Sequence, residues 1–230
     1  IFLMIIFKLP HQNQFFTIQN NSVGNHLSFH PFDGENSLNF HGEIIAITKE
    51  EIQHINFDLP IAHHQFQIEE KSKYLEKINN SIKLIQKEAI PKLVIARKKI
   101  IPYNEIKLAD SFLNLCNKYP TAFVYAFSEN NRAWMGAFSE VLGCFNKKTK
   151  IFSTMSLAGT LPVNEAWTKK EIEEQKPVSD FIHEILSKYA DQVQQSETYD
   201  HISGKIKHLR TDFSIRTDYD KIDAIIQELH

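Results

Sequence analysis

Four ionisable side chains have the types and neighbours that acid–base or metal chemistry requires. Lys92 precedes an apolar stretch, Glu140 follows aromatic residues and a glycine, Glu174 lies among other acids, and His208 lies in a β-rich stretch. A lysine acts as a general base, and a glutamate as a general acid, only where an apolar environment favours the uncharged form of each. A further carboxylate can supply oxygen ligands to a hard cation such as Mg²⁺. These residues therefore make an acid–base site with a metal one hypothesis for the chain.

Each of these side chains also has an ordinary structural interpretation. A lysine at the edge of a strand usually keeps that edge solvated, and a glutamate at the end of a strand is usually exposed. The acidic surroundings of Glu174 are typical of a solvated helix face. A single histidine in a strand, such as His208, is more often structural. The functional interpretation therefore depends on the segments taken together and on the elements that position them.

The first part of the chain has the pattern of strands followed by a helix. Strands are predicted at Ile1–Phe7, within Leu27–Phe32 and within Gly42–Ile47, between residues that favour turns. Apolar residues at helical spacing predict an amphipathic helix from Glu69 to Ile90, which ends before Pro91. Further along, Lys92–Arg97 is predicted as a strand and Lys107–Lys118 as a second helix.

Two hairpins and a capped helix follow. The hairpins join Thr121–Phe127 to Arg132–Phe138 and Val141–Phe145 to Lys150–Met155. A T-x-x-E capping box, Thr168 to Glu171, begins a helix that runs to about Ala190. A polar connector at Gln192–Thr198, a strand at Lys205–Ile215 and a helix at Asp218–Leu229 complete the pattern.

Adjacent hairpins predict the α+β class, with antiparallel sheets flanked by helices. One domain is expected over 1–230, with a strand-rich part at 1–68 and a catalytic part at 69–230.

Composition argues against several functional classes. The formal net charge of −2 leaves no excess of basic groups for a nucleic-acid binder. The apolar start at Ile1–Phe7 is far shorter than the ~20 residues that a membrane span needs. Cys116 and Cys144 lack the spacing of metal ligands, so both are expected to be reduced core thiols in a cytoplasmic protein. No glycine-rich nucleotide-binding motif, metalloprotease motif or nucleophile elbow occurs, and the pair His63-His64 has no ligand spacing.

Three segments, in their order along the chain, resemble the chorismate-utilising enzymes. They are Lys92–Arg97, Trp134–Glu140 and Phe152–Thr160, the last followed by Glu174–Val178. In the isochorismate synthases of this family, a K-V-V-L-[SA]-R strand carries the lysine that deprotonates the attacking water. Anthranilate and aminodeoxychorismate synthases usually carry another residue there, often glutamine or alanine. The resemblance therefore implies that Lys92 activates water, not ammonia, and that no glutamine amidotransferase subunit is needed.

The resemblance assigns the general acid to Glu140. The family motif is similar to W-x-G-x-S-P-E, whose glutamate protonates the leaving hydroxyl. Here Phe138-Ser139 stands where Ser-Pro is common, which alters the turn before the carboxylate but not the carboxylate itself. Trp134 and Phe138 are expected to lower the polarity around Glu140. The substrate is expected to lie between Lys92 and Glu140.

Other site residues follow from the same resemblance. The segment Ala158-Gly159-Thr160 matches an A-G-T turn that approaches a substrate carboxylate, and His208 matches the histidine of an H-L-x-T strand that faces the substrate. Glu174 matches the magnesium ligand of an E-x-x-x-V helix. Pro177 departs from that helix, because a proline there clashes with the carbonyl of residue 173 and is expected to kink the helix.

The resemblance implies a magnesium-dependent isochorismate synthase, an isomerase of menaquinone or siderophore biosynthesis, acting on chorismate as a monomer. The family continues past its H-L-x-T strand with a P-T-P-A-V segment, a second magnesium glutamate and a carboxylate-binding arginine that this sequence lacks. The chain is therefore expected to be a C-terminally incomplete anthranilate/isochorismate synthase-like fold with little activity of its own. Two alternatives stay open: a salicylate synthase, which adds pyruvate elimination, and a non-catalytic remnant that packs against a partner.

Overall fold

A computed structural model describes residues 4–31, 37–55, 57, 67–90, 92–101, 107–129 and 132–230. The strands are β1 (Met4–Lys8), β2 (Phe15–Phe29), β3 (Leu38–Ile47), β4 (Gln67–Ile68), β5 (Lys99–Ile100), β6 (Phe123–Glu129), β7 (Arg132–Phe138), β8 (Cys144–Asn146), β9 (Ile151–Pro162), β10 (Gln194–Gln195), β11 (Tyr199–Ser203) and β12 (Ile206–Arg216). The α-helices are α1 (Lys49–Gln53), α2 (Lys71–Glu88), α3 (Leu108–Lys118), α4 (Lys169–Ser187) and α5 (Ile222–Leu229), and a 3₁₀ turn at Tyr219–Lys221 precedes α5.

The chain forms two compact units, each built from two stretches of sequence. The first unit consists of Ile1–Gln67 and Lys99–Ser139, and the second of Ile68–Lys98 and Glu140–His230. Both main sheets are antiparallel, which confirms the α+β class predicted from the adjacent hairpins.

The first unit is a five-stranded sheet in the order β3-β2-β1-β6-β7. Successive side chains of a strand point to opposite faces, and β1 is apolar on both. Ile6 packs with α1 and α3 on one face, where Ile52 and Phe112 are fully buried. Ile5 and Phe7 pack on the other face in a cluster rich in phenylalanine. The strand β1 is therefore buried by apolar side chains on both of its faces.

Lys8 ends β1 with a buried amine. Its Nζ donates to the carbonyl oxygens of Leu9, Pro120 and Ala122 at 3.2, 2.9 and 3.2 Å. Burial lowers the pKa of this amine below its usual range. Three carbonyl acceptors replace the water that the ammonium loses, so the strand end is tied to the loop before β6.

The second unit is built on the long pairing of β9 with β12, in a sheet ordered β10-β12-β9-β8 with β11 also paired to β12. Alternate residues of both long strands are buried, and this face packs against α4 and α5. Its core contains Phe152, Ile182, Phe213 and Ile225. The opposite face is polar and half exposed. Because buried and less buried residues alternate along β9 and β12, every second side chain of these strands remains accessible to solvent.

Most predicted elements are found, with boundaries within a few residues, but two expectations, the strand at Lys92–Arg97 and the buried position of Cys144, are wrong. Lys92–Arg97 is not a strand: it is irregular, and no described strand pairs with it. A strand needs a partner to satisfy its backbone groups, which an isolated apolar run does not supply. Cys116 is buried as predicted, whereas Cys144 is exposed at the start of the edge strand β8. The helix α4 is continuous through Pro177.

Some predictions fall outside the described residues or were incomplete. Three parts of the predictions lie outside the described residues: the first three residues of the strand Ile1–Phe7, the end of Leu27–Phe32, and the pair His63-His64. The polar connector Gln192–Thr198 contains the short strand β10, and β11 was not predicted. No helix in the described ranges combines the length and apolarity that crossing a bilayer requires.

Candidate functional site

The structure brings Lys92 and Glu174 together. Lys92 opens the irregular segment after α2, and Glu174 lies in the second turn of α4, 82 positions later in the sequence. The Nζ of Lys92 is 3.1 Å from Oε1 of Glu174, and the two side chains are 33% and 34% exposed. The predicted general base is thus ion-paired with the predicted magnesium ligand.

Glu140 has a different environment from the one predicted. Its side chain is exposed. Trp134 and Phe138, which were expected to lower the polarity around it, are themselves 60% and 48% exposed. The exposed position of Glu140 therefore differs from the apolar one that was expected, and Lys92 forms its ion pair with Glu174.

Thr160 and His208 meet across the two long strands. They are directly opposed in the pairing of β9 with β12, and a register shift follows between His208 and Leu209. The Nδ1 of His208 lies 3.0 Å from Oγ1 of Thr160 and 3.2 Å from the carbonyl oxygen of Gly159. A carbonyl only accepts, so Nδ1 carries the proton in the bond to Gly159. In the neutral ring, Nε2 is then left as an acceptor for a ligand hydroxyl.

Gly159 brings β9 close to the first turn of α4. Its φ is +67°, and a Cβ at this position would lie 3.2 Å from the Cβ of Glu171 and 3.3 Å from its carbonyl oxygen. Only glycine adopts this backbone conformation without strain and leaves room for the helix. The neighbouring Ala158 is buried. The turn was predicted to approach a substrate; the close approach that the structure shows is to α4.

Glu171 has a structural role at the site. The sequence did not indicate that it lies beside Gly159. Its Oε2 accepts from the backbone N–H of Thr168 at 3.1 Å and also from the Thr168 hydroxyl. The hydrogen bond from the Thr168 hydroxyl is the main cause that lowers the pKa of Glu171, although its burial acts in the opposite direction. The predicted capping box is therefore confirmed, and it fixes the start of the helix that carries Glu174.

Three side chains anchor the start of α4 to the β11–β12 hairpin. Trp167, just before the cap residue, donates from Nε1 to Oδ1 of Asp200 at 2.6 Å. Lys207 is buried, with its Nζ 3.1 Å from Oδ2 of Asp200 and 4.7 Å from the Trp167 ring centroid. The hydrogen bond from Trp167 is the main cause of the lowered pKa of Asp200. We call these three residues the α4 anchor; no motif in the sequence marks them.

A buried polar cluster fixes the rotation of α4 against the sheet. Gln175 donates from Nε2 to Oγ of Ser156 at 2.8 Å, and Ser156 and Ser179 are hydrogen-bonded at 2.8 Å. Thr211 of β12 completes the cluster, 3.3 Å from the same Nε2. Because Gln175 follows Glu174 directly, this cluster also sets the direction in which Glu174 leaves the helix.

An open pocket of about 640 Å³ lies on the polar face of the second unit, a size that suits a small molecule. Ser153, Met155, Arg210 and Asp212 are among its lining residues, and none of the predicted site residues lines it. Arg210 donates from Nε to Oδ1 of Asp212 at 2.8 Å. Because this carboxylate neutralises the guanidinium, Arg210 is not free to bind an anionic ligand in the pocket.

The sequence predicted a single metal ligand, Glu174. Across the residues that the structure describes, no group of three or more His, Cys, Asp or Glu side chains is placed to hold a metal ion. Glu174 nevertheless binds a cation here, namely the ammonium of Lys92. A hard divalent ion that keeps most of its waters needs only one or two protein carboxylates. Glu174 supplies one carboxylate of the type that Mg²⁺ prefers, and substrate oxygens would have to complete such a site.

Comparisons with known proteins bear on both fold and function. A family model described as chorismate binding enzyme matches residues 38–230. The structure of MenF, the menaquinone-specific isochorismate synthase from Escherichia coli, is similar with a TM-score of 0.67 and 14% identity, covering 100% of this chain and 68% of that one. A structure assigned as the 2,3-dihydroxybenzoate-specific isochorismate synthase DhbC from Bacillus anthracis has a TM-score of 0.69 and 14% identity, covering 99% and 72%. No curated protein sequence matches this chain. At this identity, the two structures establish the fold.

Proposed function

Because the chain belongs to the chorismate-binding enzyme family, we propose that it takes part in converting chorismate to isochorismate. The observation that carries the proposal is the placement of Lys92, a base of the type that activates water, beside Glu174, a carboxylate that already binds a cation. The isochorismate synthases among the similar structures support the same reaction.

In the proposed reaction, Lys92 accepts a proton from a water molecule whose oxygen bonds to C2 of chorismate. The ring double bonds shift, and the C4–oxygen bond breaks as Glu140 protonates the departing hydroxyl, which leaves as water. One water enters and one leaves, so product and substrate are isomers. Lys92 and Glu140 exchange protonation states in the reaction and are restored by solvent.

The remaining residues would hold the substrate. The Nε2 of His208 is available as a hydrogen-bond acceptor for a ring hydroxyl, because Nδ1 is occupied by Gly159 and Thr160. Glu174 would hold magnesium, and the bound ion would supply positive charge to a substrate carboxylate. The α4 anchor and the capping box keep Glu174 at a fixed distance from the Gly159 turn.

The test is incubation of the protein with chorismate and MgCl₂, followed by separation of the products. Slow isochorismate formation is expected with the wild type, because the chain is expected to have little activity of its own, and a loss of at least ~100-fold is expected with Lys92→Ala or Glu140→Gln, since a general acid or base contributes about that much. Salicylate and pyruvate as the products would identify a salicylate synthase instead. Wild-type rates in both variants would refute the assigned roles.

A second candidate function is chorismate binding without turnover. The exposure of Glu140 favours it, because a general acid needs a less polar environment than the described structure provides. Binding of chorismate with no product after prolonged incubation would establish this candidate. Product formation that depends on Glu140 would exclude it.

A further inference from the structure

The helix α2 carries an apolar stripe that stays largely open to solvent. No residue of this 18-residue helix is fully buried, and the side chains of Leu75 and Ile82 are 48% and 46% exposed. No other described helix or strand packs extensively against α2. Most of the stability of a helix in a protein comes from packing of its apolar face. The stripe of α2 therefore lacks the contact that normally stabilises such an element.

The stripe has the spacing of a helix pair. Its residues are separated by steps of three, four and three positions, and they are Leu75, Ile78, Ile82 and Ile85. This alternation places apolar side chains along the seam between two packed helices. The positions that border such a seam are usually charged and determine the choice of partner. In α2 the bordering residues between the two ends of the stripe are uncharged: Tyr74, Asn79, Ser81 and Gln86. We call the four apolar residues the α2 seam; two copies of it can meet without like charges along its sides.

The two ends of the α2 seam carry opposite charges. Lys71 lies one turn before Leu75, and Glu88 lies one turn after Ile85, so both continue the same side of the helix. An antiparallel pair of α2 helices brings Lys71 of one copy close to Glu88 of the other at both ends, whereas a parallel pair places two copies of Lys71 together. Glu88 is at present 2.9 Å from Nζ of its neighbour Lys87, an exposed ion pair that contributes little stability and is readily exchanged.

We infer that α2 is a self-association surface, through which two copies of the chain form a homodimer with their α2 seams packed antiparallel. In this arrangement, Leu75 lies against Ile85 of the second copy, and Ile78 against Ile82. The dimer differs from the monomer that the resemblance implies, and it does not depend on the proposed reaction. A seam of four residues from each copy is small beside the ~1,200–2,000 Å² of stable interfaces, so we expect a dissociation constant on the order of 10 µM.

The test is sedimentation velocity of the full chain over a wide range of protein concentrations. The wild type is expected to change from monomer to dimer as its concentration rises. Ile82→Glu is expected to weaken the dimer at least ~10-fold, because it places a carboxylate in the apolar seam of each copy. Far-UV circular dichroism verifies that the variant is folded.

Leu84→Glu is the matched control. Leu84 belongs to the same helix and is exposed to a similar extent, 43%, but it lies about 160° from Ile82 around the helix axis. This variant is expected to dimerise as the wild type does. A wild type that stays monomeric at every concentration, or equal weakening of the dimer by the two variants, overturns the inference.

A charge exchange tests the antiparallel orientation. Lys71→Glu alone is expected to weaken the dimer several-fold, since it places two acids together at each end of the seam, and the addition of Glu88→Lys to the same chain is expected to restore it. No recovery in the double variant overturns the antiparallel arrangement, because a parallel pair would keep like charges together.

A membrane surface is the competing occupant of the stripe. Membrane-surface helices usually carry tryptophan or phenylalanine on their apolar face, which the α2 seam lacks. Co-sedimentation with vesicles of phosphatidylcholine and phosphatidylglycerol distinguishes the two. We expect no binding to the vesicles. Vesicle binding that Ile82→Glu abolishes, by a protein that stays monomeric in solution, would assign the stripe to a membrane and overturn the inference.

Discussion

A methyl group added to Gly159 would lie 3.2 Å from the Cβ of Glu171, so β9 and the first turn of α4 approach each other closely at this point. Gly159 also makes the carbonyl contact with His208, 3.2 Å from its Nδ1. One residue without a side chain therefore sets the spacing between the helix of Glu174 and the strand of His208.

Gly159→Ala is expected to destabilise the protein by about 2–4 kcal/mol, because it adds a steric contact to the strain of a positive φ. The free energy of unfolding from urea titration measures the effect. Gly204→Ala is the matched control: its φ is +62°, but nothing lies within 4 Å of the added Cβ. It is expected to cost only about 1 kcal/mol. Equal costs in the two variants would contradict the close contact at Gly159.

Gln175→Glu is expected to destabilise the protein by roughly 2–4 kcal/mol near neutral pH, because it places a carboxylate where an amide donor now serves Ser156 and Thr211. The loss should shrink in acid, where the new side chain becomes neutral. Gln192→Glu makes the same chemical change at an exposed position and is expected to stay within about 0.5 kcal/mol of the wild type. Thermal unfolding at two pH values compares them.

Trp167→Phe is expected to cost about 0.5–1.5 kcal/mol, the usual net value of one hydrogen bond, since it removes the donor to Asp200. It should also increase amide hydrogen exchange in the first turn of α4. Trp134→Phe, at a position 60% exposed, is expected to leave stability within about 0.5 kcal/mol of the wild type. Protection of the α4 start that is unchanged in Trp167→Phe would show that the α4 anchor is not needed.

The two cysteines are expected to differ in alkaline solution. Burial raises the pKa of the Cys116 thiol to about 11 from an ordinary value of 9.0. Above pH 9 the unfolded chain loses this proton while the folded chain keeps it, so the folded chain binds more protons and stability falls as pH rises. The fall from this thiol should reach about 2–3 kcal/mol by pH 11.

The measurement is the free energy of unfolding between pH 8 and 11 for the wild type, Cys116→Ala and Cys144→Ala. Cys116→Ala should lack the alkaline fall that the thiol causes, whereas Cys144→Ala, altered at the exposed thiol, should follow the wild type. Lys8 contributes an opposite slope, because its lowered pKa makes the folded amine neutral first. The difference between the cysteine variants reports the Cys116 thiol together with its interaction with Lys8, because the charge of Cys116 raises the pKa of that amine.

The periodic spacing of apolar residues predicted most of the helices and strands, because the burial of side chains follows that spacing closely in this chain. The alternation in Ile206–Arg216 and the capping box at Thr168 each depend on neighbouring residues only, and both are found. The strand predicted at Lys92–Arg97 failed because strand formation depends on a partner elsewhere. Cys144 was expected in the core because an edge strand and a central strand look alike in sequence.

The candidate site was predictable in its residues but not in its contacts. The ion pair of Lys92 with Glu174 joins segments far apart in sequence, and no local pattern states which acid a lysine meets. The same holds for Trp167, Asp200 and Lys207, whose association appears only once β11 and β12 form a hairpin. The residue types with suitable chemistry could be identified from the sequence, whereas tertiary packing determines which of their side chains are in contact.

The pairing of β1 with β6 has a consequence during synthesis. Met4 lies opposite Ser128 and Lys8 opposite Val124. At a translation rate of about 5–20 residues per second, β1 is synthesised roughly 6–25 seconds before β6. Until then one edge of β1, with its isoleucines and phenylalanine, has no partner from its own chain. This edge of β1 is therefore open to chaperones and to wrong pairing until β6 has been synthesised.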